Sequence, residues 1–472
     1  MIAPRMDERR WNRGLALGLA LATLLAASGC GESSPSRVAA RALDAYRRSS
    51  GVKPLPASGM IRLRLTGAGG AAGKDEILWA PGRYRETLSS AGMTTVRGIE
   101  SGRAYFIDQD GVTRVASDQV LRELKTRSYF WRRAWLFADR ERAWLTLGPA
   151  DARGASVTFS LTPEGGNPLT LTFAASDGRL LSARSPRFDL EVASATAWRD
   201  VSDPAAPIAL ELAWTGLPTG PIPPAEVGGG RARFAPEAQP FAYERRGGAL
   251  LVTATLSGHP IRLAIDGAED GPVRVSEGLA ARLGLAFAPD VYGREIADGA
   301  TLELGGAAWP SLWVRRGGEL PAGADAAAGG CLYREAVVEF DPAAGRIALH
   351  DAARFTPPEE FFRIVVDDDD DRPVAVLNRG KKDLRLTAGS DTGDAALRIA
   401  AASADRAGLS GTEAHGLAWG PVRLPELPIA IAQSGFDPAW GDDGKLGWAL
   451  LLRFHAYVCM PRRWIYVKPL EP

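Results

Sequence analysis

Residues 250–270 read LLVTATLSGHPIRLAIDGAED, and residues 374–394 repeat the same order as VAVLNRGKKDLRLTAGSDTGD. In both, an apolar strand turns through a glycine-containing break into a second apolar strand, which runs into an Asp/Gly-rich turn. The first such turn is Asp266-Gly267-Ala268-Glu269-Asp270, the second Gly389-Ser390-Asp391-Thr392-Gly393-Asp394. A helix-like segment follows each, VRVSEGLAARLGL at 273–285 and LRIAAASADRAGL at 397–409. The copies also end alike. Residues 325–341 (DAAAGGCLYREAVVEFD) lead to GRIALHD at 345–351, and residues 443–458 (DGKLGWALLLRFHAYV) lead to RRWIYVKP at 462–469. A doubled β-rich unit is therefore expected, lobe one at 246–356 and lobe two at 357–472.

Upstream, residues 216–240 (GLPTGPIPPAEVGGGRARFAPEAQP) are rich in Pro and Gly without periodicity, and 216–245 reads as a linker. Before it, from Gly59 to about Arg199, short segments alternate with period two, among them MIRLRLTG (60–67), EILWAPGRYRETL (76–88), AYFIDQDG (104–111), ASVTFSLT (155–162) and LTLTFA (169–174). Such alternation between Gly, Asp and Pro breaks marks antiparallel strands with one face on a core. Val38–Ser49 (VAARALDAYRRS) has apolar residues at helical spacing and reads as an amphipathic helix. Residues 38–215 thus form one mainly β domain in front of the doubled unit. Trp131, Trp135, Phe137 and Trp144 read either as its core or as part of a ligand-holding face.

The N-terminus has the order of a secretory leader. Arg5, Arg9, Arg10 and Arg13 precede the apolar run Leu15–Ala27, which is shorter than the roughly 20 residues that span a bilayer. The run ends in Ala27-Ser28-Gly29-Cys30, which resembles a bacterial lipoprotein cleavage box. That resemblance implies a leader at 1–29, a lipidated Cys30, a tether at 30–37, and, with Gly31 rather than aspartate after Cys30, a place on the periplasmic face of the outer membrane. An ordinary signal peptide cleaved near Cys30 is the alternative. Cys331 and Cys459 would then be the remaining cysteines, either buried free thiols or a pair.

Composition narrows the classes. The 472 residues carry 56 Lys+Arg against 56 Asp+Glu, and this balance argues against a nucleic-acid partner. Three cysteines cannot build a disulfide framework or a four-ligand zinc site, and four scattered histidines without His-Glu-x-x-His make a zinc hydrolase improbable. Asp367–Asp371 with Asp442-Asp443 lacks the spacing of a calcium loop and reads as a solvated inter-lobe loop. Neither a metal nor a cofactor is expected.

The duplicated order resembles the pepsin/retropepsin aspartic peptidases, and most of all the bacterial periplasmic aspartyl-protease family proteins whose two lobes follow a half-barrel domain. One helix followed by a strand meander is likewise similar to the half-barrel of bacterial lipoprotein carriers. The resemblance implies a mainly β (α+β) fold, a curved antiparallel half-barrel with a helix and then a bilobal β domain. It matches Ala326-Ala327-Ala328-Gly329 and Gly444-Lys445-Leu446-Gly447 to the family's second turn, and Tyr292-Gly293 to the flap. It implies Asp266 and Asp391 as a catalytic dyad, with Tyr292, Gly293, Ser390 and Thr392 around a peptide or protein substrate.

The motifs depart from the family. Gly267 and Ala268 replace Thr and Gly, and the intact Asp391-Thr392-Gly393 stands one residue late, so that counting back from Gly284 and Gly408 puts Ser390 opposite Asp266. Two carboxylates must share a proton for the peptidase chemistry. The expectation is a lipid-anchored protein that binds extended polypeptide between its lobes, with peptidase activity reduced or lost. Two alternatives stand beside it. One is an active endopeptidase using Asp266 and Asp391. The other is a lipid or lipoprotein carrier acting through the half-barrel, which requires a continuous apolar pocket not filled by its own tryptophans.

Overall fold

A computed structural model describes residues 35–50, 55–136, 143–147, 155–215, 232–246, 248–267, 271–369, 372–389, 392, 395–436 and 441–470. Cys30, Phe137, Ser390 and Asp391 lie outside the described residues. The fold is mainly β. Its first part is a 13-stranded antiparallel sheet curled into a half-barrel, with Thr113–Val115 at one edge and Ala143–Leu147 at the other. The first strand, Gly59–Thr66, pairs with the last of this sheet, Ile208–Thr215, so the first and last strands of this part meet in the middle of the sheet. Period two sets the faces. Ile61, Leu63 and Leu65 are buried, while Arg62 and Arg64 point outward to Glu76 (3.0 Å) and Glu211 (3.1 Å) on the flanking strands.

The helix Asp118–Trp131 connects the two edge strands, and the Ser117 hydroxyl caps it by accepting from Val120 N (3.2 Å). Its C-terminal aromatics cover half of the sheet. Phe130 meets Phe188 and Trp198, each with centroids 5.5 Å apart, and Trp135 meets Phe173 at 5.9 Å. Trp131 and Trp135 are thus core residues, but Trp144 is 62% exposed because it lies on an edge strand with one neighbour. The helix Pro35–Ser50 packs alongside, Tyr46 lying 5.5 Å from Trp135.

The second part is two copies of one strand order. In the first, Ala249–Leu256 and His259–Ile265 form a hairpin, and Ile265 pairs in parallel with Ala328. In the second, Arg372–Arg379 and Lys382–Ala388 form the hairpin, and Ala388 pairs in parallel with Leu446. Val275 lies antiparallel to Ala326 in one copy and Ile399 to Gly444 in the other. The helices Glu277–Leu283 and Ala401–Ala407 both stop at left-handed glycines, Gly284 (φ 65°) and Gly408 (φ 68°). A six-stranded sheet joins the copies, with Ala336–Asp341 beside Phe454–Cys459 at its centre. Residues 232–245, read from sequence as linker, are laid on this unit instead. Phe241–Ala242 extends the shared sheet and Arg233–Phe234 extends the first copy, because Phe234 and Phe241 pack on its core. Cys331 and Cys459 are buried free thiols.

The two parts are packed together through the hairpin turn at 290–294. Val291 is fully buried with the half-barrel core, and its N–H donates to Ser90 Oγ (2.9 Å). Gly67 is where this contact is tightest, since a Cβ there would fall on the Val291 carbonyl. Gly67→Ala is expected to cost about 1–3 kcal/mol through the shift this forces. Urea unfolding measures it, and a change within about 0.5 kcal/mol would refute the contact.

Candidate functional site

Asp266 follows the buried strand His259–Ile265 and is itself 7% exposed, its N–H donating to Ala328 O (2.9 Å). Burial and the Asp266 charge together hold the buried Tyr333 hydroxyl above its ordinary pKa. In the second copy the same backbone bond runs from Gly389 N to Leu446 O (3.0 Å). The register therefore sets Gly389, not Ser390, opposite Asp266. Counting back from the helix ends differs because the second copy's loop is one residue longer: Asp266 lies nine positions before Val275, whereas Gly389 lies ten before Ile399. A pair built from equivalent positions has one carboxylate only. The two turns do meet. A Cβ on Gly267 would lie 2.8 Å from Ala388 Cβ and 2.9 Å from its carbonyl oxygen, so glycine permits this approach. Thr392 is buried against Gly447, and its hydroxyl has no hydrogen-bond partner among the described residues.

Tyr292 and Gly293, expected at a flap over an inter-lobe cleft, sit in the hairpin that packs on the half-barrel. The buried Asp290 organises that turn. Its carboxylate accepts from Tyr292 N and Arg294 N, both 2.9 Å, and from Arg294 Nε at 2.8 Å. Gly293 takes the left-handed conformation (φ 74°) that lets the hairpin close. The Arg294 guanidinium lies 4.8 Å over the Tyr292 ring. What displaced the expectation is Val291, whose burial in the other domain carries its neighbours with it.

Between this hairpin and the uncovered half of the curved sheet lies a cavity of about 480 Å3. That volume falls in the range of small-molecule sites. One wall is apolar, with Leu63, Leu65, Leu190, Ile208 and Leu210 beside Phe188 and Trp131. The adjoining strands of the same sheet carry charge, Asp75 being the cross-strand neighbour of Leu63. Asp75, Glu86 and Arg97 come from three successive strands, and Arg127 reaches in from the helix. Glu86 and Arg97 are direct cross-strand partners. The Glu86 carboxylate accepts from Arg127 Nε (2.7 and 3.0 Å), from Arg97 Nε (2.6 Å) and from the Tyr84 hydroxyl. Sequence reading missed these residues, although parity marks them. Glu86 shares its strand face with Tyr84 and Leu88, and Asp75 shares its own with Ile77 and Trp79.

Asp75 is 8% exposed, and one of its carboxylate oxygens has no hydrogen-bond partner among the described residues. Burial first, then the Glu86 charge, lifts it from 3.8 to about 7, against Arg97 and Arg127. The folded chain then holds this proton more tightly than the unfolded one between about pH 4 and pH 7, so stability falls as pH rises through that window. Asp75→Asn is expected to remove this slope and to be the more stable form at about pH 8. Thermal melts across the window test it, and an unchanged slope in the variant would sink the assignment.

Two of the four histidines, without partners in sequence, converge on Glu339. His350 Nε2 is 2.7 Å and His455 Nε2 2.8 Å from its carboxylate, and the Tyr457 hydroxyl donates at 3.1 Å. Burial opposes ionisation of Glu339, but these hydrogen bonds hold it at about 2. Glu339, Asp341 and His455 offer ligand atoms within 4.8 Å of one another, though each of the two carboxylates is already paired, Asp341 with Arg346 at 3.1 Å. Asp367 is taken up by Arg385 (2.7 Å) and Arg463, and Asp443 by Ser403 (2.6 Å) and Arg406. These acids are answered by arginines and a serine rather than left to solvent.

No family model matches the chain, and no curated protein matches it. Among solved structures it is similar to a LolA superfamily protein from Nitrosomonas europaea, at 10% identity and a TM-score of 0.25, over 39% of this chain and 94% of that one.

Proposed function

We propose that this is a periplasmic, Cys30-anchored binding protein whose half-barrel cavity holds the chain of an amphiphile, and whose doubled unit is an aspartic-peptidase-like pair of lobes without working peptidase chemistry. The observation that carries the binding reading is the cavity of about 480 Å3, with an apolar surface running into a charged one. It is not the continuous apolar pocket that a pure hydrocarbon would want, so the ligand is amphipathic. Gly389, which carries no carboxylate, stands in register opposite Asp266, and this supports the loss of catalysis, since the chemistry needs a carboxylate from each lobe sharing one proton. The hairpin that would grip extended polypeptide is engaged by the half-barrel through Val291, which weighs against peptide binding between the lobes.

A fluorescent long-chain amphiphile is expected to bind saturably, one per chain. Thr95→Trp sets a bulky ring into the cavity beside Leu88 and is expected to weaken binding about tenfold or more, a loss of about 1.4 kcal/mol or more. Equal affinity in both proteins would place the ligand elsewhere. The active-peptidase alternative rests on Thr392, which is buried next to the second copy's Gly447 turn as an Asp-Thr-Gly residue would be. It predicts peptide-library cleavage between about pH 3 and pH 7 that Asp266→Asn abolishes. The reading preferred here predicts the same background from both proteins.

A further inference from the structure

We infer that the amphiphile held in the half-barrel carries an acidic head group, and that this head is received by Arg97 together with Tyr292 from the lobe-one hairpin. The inference rests on the cavity reading above and adds the ligand's chemistry to it.

The two arginines around Glu86 are not equivalent. Arg127 is sunk in the wall, its side chain 11% exposed, and holds both Glu86 oxygens. Arg97 spends its Nε on Glu86, while 43% of its side chain stays exposed. It lines the cavity, so this exposed part is offered to whatever enters. Tyr292 lines the same cavity from the other domain, close enough for Arg97 to act on its hydroxyl. The site is therefore composite and exists only while the 290–294 hairpin is seated.

Charge counting favours an anion. Glu86 is shared between the two guanidiniums and Glu123 also acts on Arg127, so the charge left beside Arg97 is met by Asp75 or by a ligand. Asp75 is a poor counter-ion near neutral pH, because burial and Glu86 keep it largely protonated up to about 7. Among the other charged residues of the lining is a further cation, Arg187, and three others are held in place by neighbours, the two aspartates keeping their charge. Arg294 is bound by Asp290, Asp200 accepts from Ser202 N (2.9 Å), and Asp203 accepts from Ala205 N (2.9 Å). A head group at Arg97 leaves the tail facing Leu63, Leu190 and Leu210, so polar and apolar ends of one ligand each meet their own wall. As pH rises through about 7, Asp75 ionises and competes for the same guanidinium. Glu86 and Tyr84 on the next strand, Arg97 on the one after, Arg127 on the helix and Tyr292 on the hairpin are the groups that face it.

The test is competition binding to the full chain with three single-chain probes: myristate, myristyl phosphate and myristyl alcohol. At about pH 6 both acids are expected to bind about tenfold to a hundredfold tighter than the alcohol, the size of a hydrogen bond to a charged group. Which acid binds more tightly separates a carboxylate head from a phosphate one. Arg97→Gln is expected to abolish the preference, bringing the acids to the affinity of the alcohol, Arg97→Lys to retain most of it, and Tyr292→Phe to reduce it. The preference is expected to shrink at about pH 8.5. Equal affinity for acid and alcohol, or a preference that survives Arg97→Gln in a folded protein, overturns the head-group assignment and leaves the cavity standing. Failure of all three probes overturns the cavity reading itself. Should Arg97→Gln fail to fold, the acid-to-alcohol ratios of wild type and Tyr292→Phe decide alone.

Discussion

Replacing Arg334 with methionine is expected to destabilise the chain by about 3–5 kcal/mol, the cost of leaving buried charges without a partner. Arg334 sits on the short helix Gly330–Glu335 of the first copy, its side chain 2% exposed. Its Nη1 lies 2.8 Å from Asp110 and 3.2 Å from Asp108, two carboxylates on a loop of the half-barrel. That loop is held in shape from within, because Asp108 accepts from Asp110 N (2.8 Å) and Val112 N (3.0 Å). Without the guanidinium, two acidic groups face each other inside the protein with no cation between them. Asp108→Asn and Asp110→Asn added to Arg334→Met are expected to recover most of the loss, since neutral amides carry no such burden. Urea unfolding followed by tryptophan fluorescence reads both effects. A loss below about 1 kcal/mol for the single variant would show that the three residues do not join the domains as described.

Glu86→Gln is expected to cost a similar amount, about 3–5 kcal/mol. Three donors converge on this carboxylate, from Tyr84, Arg97 and Arg127, and its side chain is 2% exposed. Glutamine has one oxygen to offer and points an NH2 group at the remaining donors, while the two arginines repel each other unscreened. The wild-type protein should show the same dependence in acid. Burial opposes ionisation, yet Arg127 and Arg97 hold Glu86 at about 2 against an ordinary 4.5. A depressed carboxyl adds stability above its unfolded value and loses it as pH falls toward 2. Denaturation midpoints between about pH 5 and pH 2 should therefore fall steeply in wild type and less in Glu86→Gln. Parallel curves would mean that Glu86 ionises in the fold as it does in the unfolded chain.

Much of this architecture was readable because it is local. Ile61, Leu63 and Leu65 against Arg62 and Arg64 state a half-buried strand in five residues, and the structure buries that set. Gly284 and Gly408 announced two equivalent helix ends, and both take the left-handed conformation. The same locality explains the misses. Counting from helix ends aligns Asp266 with Ser390 and cannot see that a loop has gained a residue, whereas backbone pairing with Ala328 and Leu446 does. Distance along the chain sets Tyr292 and Gly293 at a flap but says nothing of which domain a hairpin will pack on. Proximity in sequence groups Trp144 with Trp131 and Trp135, yet an edge strand leaves it 62% exposed.

The candidate site was less legible still. Asp75, Glu86 and Arg97 each break the apolar parity of their own strand, a signal visible in hindsight. Alone, each such break looks like an ordinary polar position. Their meaning comes from cross-strand register, and Arg127 joins them from a helix 41 residues away from Glu86.

The order of residues by itself determined the strand alternation, the duplication and the turns, since these follow from neighbours within a few positions and from the period of each element. Only the tertiary structure decided that Val291 would lodge in the half-barrel, that Arg334 would meet Asp108 and Asp110, and that one face of the curved sheet would stay open beside Asp75, Glu86, Arg97 and Arg127. Those outcomes depend on which surfaces exclude water from which, and that is a property of the whole packed chain rather than of any stretch of it.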